Sequence, residues 1–290
     1  MLKALLKTMR PRQWVTKNIF IFAALVFDKQ LLVVDSFLRT LAGFALFCLI
    51  SSSVYIFNDI ADVEADRQHP EKKNRPIASG KLPIPVAWAA GILLAVITLA
   101  AGFLLAPSFG YVIGLYFVLI MVYSKWLKHI AILDVLIISA GFVLRVGAGV
   151  TLIHVERFSP WLYVVMTLLS LFLGFGKRRA ELALLEQGAG SHRKVLDGYT
   201  LPLLDQYIMI VSGTTIVAYS LYTFSAPNVP ANHSMMLTIP FVVYAIFRYL
   251  YLIEVKHAGG APEEILLSDR PFQITMLLWA AVVLAIFYLS

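Results

Sequence analysis

Leu41-Ala42-Gly43-Phe44-Ala45-Leu46-Phe47-Cys48-Leu49-Ile50 sits inside an apolar stretch over residues 36–57, and that stretch runs directly into Asn58-Asp59-Ile60-Ala61-Asp62-Val63-Glu64-Ala65-Asp66. About 20 mostly apolar residues in helical conformation cross the hydrocarbon core of a bilayer. A stretch of that length predicts a transmembrane helix. Its abrupt end in carboxylates predicts the point where the chain leaves lipid for water.

Working outward from it, the rest of the chain has the same character. Of the 290 residues, 60% are hydrophobic and only 14% charged, against about a quarter charged in soluble domains. So little polar surface cannot cover a water-exposed globule. Eight further apolar stretches follow the same pattern, giving nine candidate spans at approximately 18–34, 36–57, 84–105, 109–124, 132–153, 159–176, 206–226, 234–252 and 271–289. Prolines punctuate the junctions at Pro83, Pro85, Pro107, Pro160, Pro227 and Pro230. No strand alternation, low-complexity tract or internal repeat is apparent. The expected fold is an all-α, polytopic transmembrane helical bundle of about nine spans, forming a single membrane-embedded domain over residues 1–290.

The net charge is +7. In a soluble protein that could point to nucleic acid, but here the basic residues lie between apolar runs, where they set topology and meet anionic headgroups. With the amino terminus placed inside, the inner set is residues 1–17, the 58–83, 125–130 and 177–205 loops and the 248–270 region. It holds 20 of the Lys and Arg residues, and the outer set only Lys29, Arg39 and Arg157. That asymmetry predicts a basic, amphipathic cytoplasmic segment over 1–17, cytoplasmic loops at 58–83, 125–130, 177–205 and 253–270, and chemistry on the inner face of the cytoplasmic membrane. Residues 1–17 lack the short apolar run and small-residue cleavage site of a signal peptide. Cys48 is the one cysteine, and the six histidines show no ligand spacing, so neither a disulfide nor a zinc site is expected.

Asp59, Asp62 and Asp66 are spaced i, i+3 and i+7, which places three carboxylates on one face if the helix continues. Such a cluster repels itself unless a cation neutralises it, and hard oxygen donors favour Mg²⁺, which typically takes one or two carboxylates plus substrate phosphates. Anions at a helix's carboxyl end also oppose its macrodipole. Behind the cluster comes Lys72-Lys73-Asn74-Arg75-Pro76-Ile77-Ala78-Ser79-Gly80, whose cations suit a polyanion bridged by metal.

Asn58-Asp59-x-x-Asp62-x-x-x-Asp66 followed by Asn74-Arg75-Pro76-Ile77-x-Ser79-Gly80 resembles the UbiA superfamily of intramembrane prenyltransferases. That resemblance implies a UbiA-like fold of nine spans and a first aspartate motif that binds Mg²⁺ and a diphosphate. Family members typically carry a second aspartate motif after the sixth span. Here the corresponding stretch is Gly176-Lys177-Arg178-Arg179-Ala180-Glu181-Leu182, with cations in place of acids. This stretch is similar to a branch of the superfamily in which phosphoribosyl pyrophosphate is the donor and a polyprenyl (decaprenyl) phosphate the acceptor. Arg10-Pro11-Arg12-Gln13-Trp14-Val15 through Lys17-Asn18, Tyr123-Ser124 with Leu127-Lys128, Arg193-Lys194 with Tyr199-Thr200, and the segment from Gly260 to Arg270 carry the same similarity. It implies Mg-dependent phosphoribosyl transfer in membrane lipid, with pyrophosphate released.

The expected roles follow. Asp59, Asp62 and Asp66 are the catalytic carboxylates and metal ligands, with Asn58 beside them and Arg75 behind. Tyr123, Lys128, Lys177 and Arg178 meet phosphate or ribose groups, Glu181 a ribose hydroxyl, and Arg10, Lys17 and Asn18 the lipid or ribose phosphate. Each of these cations is equally explained as an ordinary positive-inside residue. Arg145, mid-span, either lines the lipid-phosphate cleft or pairs with an acid such as Asp134. Two other functions remain open: prenyl transfer from a prenyl diphosphate to an aromatic acceptor, and lipid transport or flipping.

Overall fold

The computed structural model describes residues 1–69, 72–155, 159–186, 193–256 and 268–289, and among these all regular structure is helical. The helices are α1 (Leu2–Thr8), α2 (Arg12–Asn18), α3 (Ala23–Phe27), α4 (Val34–Ala61), α5 (Val63–Gln68), α6 (Ile84–Leu105), α7 (Pro107–Lys125), α8 (Leu133–Val150), α9 (Pro160–Glu186), α10 (Leu201–Ser225), α11 (Ile239–Glu254) and α12 (Arg270–Tyr288). Eight of them are long and apolar enough to cross a membrane: α4, α6 to α10, α11 extended by the 3₁₀ turn Ser234–Thr238, and α12. They correspond to eight of the nine expected spans. The apolar side chains exposed on α6, among them Ile92, Leu93, Val96, Ile97 and Leu104, suit lipid rather than water. Arg157, most of the 253–270 loop and part of the 177–205 loop lie outside the described residues.

The first expected span, 18–34, is the exception. It consists of the end of α2, the 3₁₀ turn Ile19–Phe22, and α3, after which the chain turns at Lys29 with φ 58°. Four successive β-branched or aromatic residues, Ile19 to Phe22, are weak helix formers. The tight turn is also pressed against α8: a Cβ added at Gly149 would stand 2.0 Å from the Ile21 carbonyl oxygen. Small residues allow such close backbone approach between membrane helices.

The chain, expected as one domain, divides into two compact units. The first comprises residues 1–26, 30–128 and 144–154. In it α4, the most buried of the long helices, packs on α6 and α7 around Phe47, Ile50, Val54, Phe109, Ile113 and Tyr116. The second comprises 27–29, 129–143 and the described residues of 155–290. There α9 packs on α10, and α11 on α10 and α12, around Phe172, Phe175, Leu204, Ile208, Ile246 and Tyr249.

Candidate functional site

Helix α4 ends where the aspartates begin. Asp62 caps it at φ −94°, ψ 7°, and α5 starts at the next residue. The backbone bonds from Asp62 to Asn58 and from Asp66 to Asp62 continue across the break, so the helical spacing largely survives. Asp59 and Asp66 are buried, with 2% and 3% of their surface exposed. Buried carboxylates must be paired, and the pairing comes from two guanidiniums. Arg10 Nη2 donates to Asp59 Oδ1 at 2.5 Å, while Arg75 Nη1 donates to Asp59 Oδ1 at 3.1 Å and to Asp66 Oδ2 at 2.7 Å. Asp62 faces other partners: Lys128 Nζ donates to Oδ1 at 2.7 Å and Asn58 Nδ2 to Oδ2 at 3.1 Å.

Local sequence fixes both arginines. The Ser51-Ser52-Ser53 run on α4 gives polar anchors inside an apolar helix. Trp14 Nε1 donates to Ser52 Oγ and to the Met9 carbonyl, and Ser52 Oγ also donates to that carbonyl. The turn between α1 and α2 is thereby held on α4. Arg10 within it has φ 55°, a left-handed backbone that costs a non-glycine residue about 1–3 kcal/mol and is further disfavoured before Pro11. The guanidinium lies over the Tyr55 ring at 4.9 Å, one turn before Asp59, and Lys17 Nζ lies over the same ring at 5.8 Å. Arg75 follows a short 3₁₀ turn and is set by the buried Ile77 and by Leu82 N–H donating to the Pro76 carbonyl.

The donor set suits a divalent cation. One nitrogen of Arg75 sits between oxygens of Asp59 and Asp66, so two hard carboxylates already converge on a single cationic atom. Two carboxylates plus substrate oxygens are what Mg²⁺ commonly takes. Three acids are not gathered closely enough to form a ligand set among the described residues. Asp59 and Asp66 share Arg75, while Asp62, at the break of α4, faces Lys128.

Deeper in the first unit, Arg145 is 5% exposed. Its Nε donates to Asn18 Oδ1 at 2.8 Å and its Nη2 to the Tyr116 hydroxyl at 2.9 Å, with the Phe47 and Tyr116 rings against the guanidinium. Asn18 Nδ2 in turn donates to Cys48 Sγ. Arg145 and Asn18 therefore hold each other inside the unit, and Asp134 belongs to a different cluster.

That second cluster lies in the other unit. Asp134, with no exposed surface, accepts from Arg178 Nε at 2.6 Å and from the Tyr199 hydroxyl at 2.6 Å. Arg178 Nη1 donates to Glu181 Oε2 at 2.7 Å, and Arg193 Nη1 approaches both Glu181 oxygens at 3.3 Å. The Tyr199 hydroxyl also accepts from the Ile132 N–H at 2.6 Å. Burial and the Asp134 carboxylate push the Tyr199 phenol well above its usual range, so it stays a proton donor. Arg179 pairs with Asp205 of α10 and Glu254 of α11. Of the two cations expected to meet substrate phosphate here, Lys177 and Arg178, the second thus binds acids of the chain itself, as does the neighbouring Arg179. Lys177 and Tyr123 are half-buried on α9 and α7.

One residue escaped the sequence reading: Tyr55, whose ring lies under Arg10 and Lys17, looks like one more span aromatic and carries no motif signal.

The UbiA prenyltransferase family matches residues 19–261 of the chain. A decaprenyl-phosphate phosphoribosyltransferase of Mycolicibacterium smegmatis is 37% identical, over 100% of this chain and 94% of its own length. Proteins of the same name from Mycobacterium tuberculosis and Corynebacterium glutamicum are 36% and 34% identical, over 96% and 98% of this chain and 92% and 86% of their own lengths. In fold, the chain is similar to a UbiA homologue from Archaeoglobus fulgidus bound to GPP and Mg²⁺, with a TM-score of 0.74 and 18% identity over 98% of this chain and 99% of that one. Sequence, helical architecture and the aspartate motif at the exit of α4 agree: the chain is a member of the UbiA prenyltransferase family.

Proposed function

We propose that this protein transfers the 5-phosphoribosyl group of phosphoribosyl pyrophosphate to a polyprenyl phosphate of decaprenyl class, releasing pyrophosphate. The observation that carries the proposal is the identity of 34–37%, over nearly the whole chain, to proteins named for that activity. In the reaction a lipid phosphate oxygen forms a bond to the anomeric carbon of the ribose. The bond from that carbon to pyrophosphate breaks, and its electron pair leaves with pyrophosphate. An ionised phosphate needs no strong base, which suits a cluster of carboxylates and cations without a nucleophilic Cys or His.

Asp59 and Asp66 would hold Mg²⁺, which when bound neutralises charge on the departing pyrophosphate. Arg75 would then be released from the two carboxylates and turn to phosphate oxygens, joined by Lys128, with Asn58 keeping Asp62 oriented. Lys177 and Glu181 keep the roles that the resemblance gives them, at a phosphate and at a ribose hydroxyl. Catalysis is then mostly positioning and electrostatic stabilisation. The family also supports a second reading, prenyl transfer to an aromatic acceptor. Against it stands α9, where Lys177, Arg178 and Arg179 occupy the stretch in which a second acidic motif is expected.

The deciding experiment supplies purified protein in lipid nanodiscs with polyprenyl phosphate and labelled phosphoribosyl pyrophosphate, and separately with labelled geranyl diphosphate and an aromatic acid. Label from the first donor alone should enter lipid, and only with Mg²⁺ present. Transfer from geranyl diphosphate alone would overturn the assignment. The active face is proposed to be cytoplasmic, with the amino terminus inside. A cysteine replacing Ser79 should react with an impermeant reagent from the cytoplasmic side, and one replacing Asn232 from outside.

A further inference from the structure

Residues 1–18 carry five cations, Lys3, Lys7, Arg10, Arg12 and Lys17, and no acid. Contacts with α4 fix the depth of this segment. Arg10 meets Asp59 near the end of α4, Trp14 meets Ser52, and Asn18 meets Cys48. Cys48 lies 11 residues before Asp59, about 16 Å along a helix and so about half the thickness of a hydrocarbon core. Helix α2 therefore descends into the membrane, while α1 lies at the level where α4 leaves lipid. There Ala4, Leu5 and Met9 turn inward and join Ile56, Ile60 and Val63 in an apolar cluster. The other side of α1 is open. Leu2 and Leu6, 71% and 45% exposed and one turn apart, stand beside the exposed Lys3 and Lys7. The next helix repeats the arrangement: Val15 and Ile19, 61% and 47% exposed, stand beside the exposed Arg12 and Thr16. Residues four apart share a helix face, so each helix presents an apolar pair edged by a cation. That is the pattern of a segment lying in a membrane interface, where alkyl side chains enter the acyl boundary and cationic heads reach the headgroups.

We propose that α1 and α2 form an interfacial anchor that docks on anionic phospholipid, in the leaflet where α4 ends in its aspartates. Leu2, Leu6, Val15 and Ile19 enter the acyl boundary, and Lys3 and Arg12 hold the headgroups above them. Depth selects lipid over water as the occupant. Five cations without an acid select anionic over zwitterionic headgroups. The occupant is bulk membrane lipid, so the anchor stands whichever group the protein transfers. Lys3 and Arg12 are exposed, and replacing them leaves the packing on α4 intact.

The test uses the full chain in nanodiscs, with the fluorophore bimane attached to Leu6→Cys. Wild type, whose Cys48 is buried, gives the labelling blank. The discs contain phosphatidylglycerol and phosphatidylcholine, and one of the two carries a spin label near its ester group. Both labelled lipids should quench the fluorophore, and phosphatidylglycerol should do so more strongly at equal labelled fraction. Adding Lys3→Gln and Arg12→Gln should reduce that preference by about fivefold for each charge at low ionic strength, the worth of one cation near an anionic surface. Salt should reduce it too. Lys194→Gln, which removes an exposed cation of the second unit, should leave it unchanged. Quenching by aqueous iodide and by neither labelled lipid would put the segment in water and overturn the anchor. Equal quenching by the two lipids would overturn its anionic preference. Oxidative cross-linking of Leu6→Cys between copies, without lipid quenching, would give the face to a second copy of the chain and overturn the anchor as well.

Discussion

In the first unit Asp59 and Asp66 are neutralised by Arg10 and Arg75, whose side chains are 24% and 27% exposed, and Asp62 by Lys128 at 17%. In the second unit Asp134 is neutralised by Arg178, at 0% and 3%. The residue types are the same and the physical situations are opposite. A cation in contact with water can leave a carboxylate when a metal and a phosphate replace it, at little desolvation cost. A cation sealed against its carboxylate cannot, because separation leaves an isolated buried charge. Hence the first cluster is exchangeable and the second is locked. On the proposed function, the acids of the first cluster should matter for turnover and those of the second for folding.

The sharpest way to break this contrast is to neutralise the exchangeable pair. Asp59→Asn and Asp66→Asn should each lower turnover by about three powers of ten, the scale of losing a group that stabilises transition-state charge, while yield and apparent melting temperature stay near wild type. Asp62→Asn should cost less, since that carboxylate faces Lys128. Chelation with EDTA should abolish activity and added Mg²⁺ restore it. Full activity in EDTA would remove the metal from the first cluster.

The locked pair should behave in reverse. Asp134→Ala takes away the buried acid that Arg178 faces and should destabilise the protein by about 3–5 kcal/mol, seen as a lowered apparent melting temperature. Replacing both partners with apolar residues, Asp134→Leu with Arg178→Met, should recover much of that loss, because paired removal leaves no orphan charge. If Asp134→Ala melts like wild type, the pair is not locked.

These contrasts show what a linear sequence can carry. The eight long helices and the aspartates at the end of α4 were legible, because hydropathy and i, i+3, i+7 spacing are local properties. The cation that each acid would meet was not. Arg10 lies 49 residues from Asp59, Arg178 lies 44 from Asp134, and Asn18 lies 127 from Arg145. No periodicity encodes such pairings, so Asp134 could be offered to Arg145 while the fold gives it to Arg178. The break of α4 at Asp62 and the broken first span, held against Gly149, likewise depend on packing that propensity does not report.

Lys177 sharpens the comparison within one helix turn. It is half-buried next to the locked Arg178. Lys177→Ala should lower kcat/KM by one to two powers of ten if it meets a phosphate, as a hydrogen bond to a charged group is worth about 1.5–3 kcal/mol, with stability unchanged. Arg178→Ala should instead show its loss in the melting temperature. If the two variants lose stability alike and Lys177→Ala keeps its activity, the whole Lys177-Arg178-Arg179 stretch is structural.

The smallest effect tests whether exposure alone sets the difference between exchangeable and locked. Arg248 donates to both oxygens of Asp269, which also accepts from the Phe272 N–H as the amino-terminal cap of α12. These bonds, the Arg248 hydrogen bond foremost, hold the Asp269 carboxyl below its usual range. A carboxyl depressed in the folded state stabilises it above the unfolded pKa and loses that contribution as pH falls through the folded one. Asp269→Ala should therefore lower stability by about 1 kcal/mol at neutral pH, the usual worth of a cap. The difference from wild type should hold steady down to roughly pH 5 and close below about pH 4. A loss as large as that of Asp134→Ala would mean that burial is not what separates the locked pair from the rest.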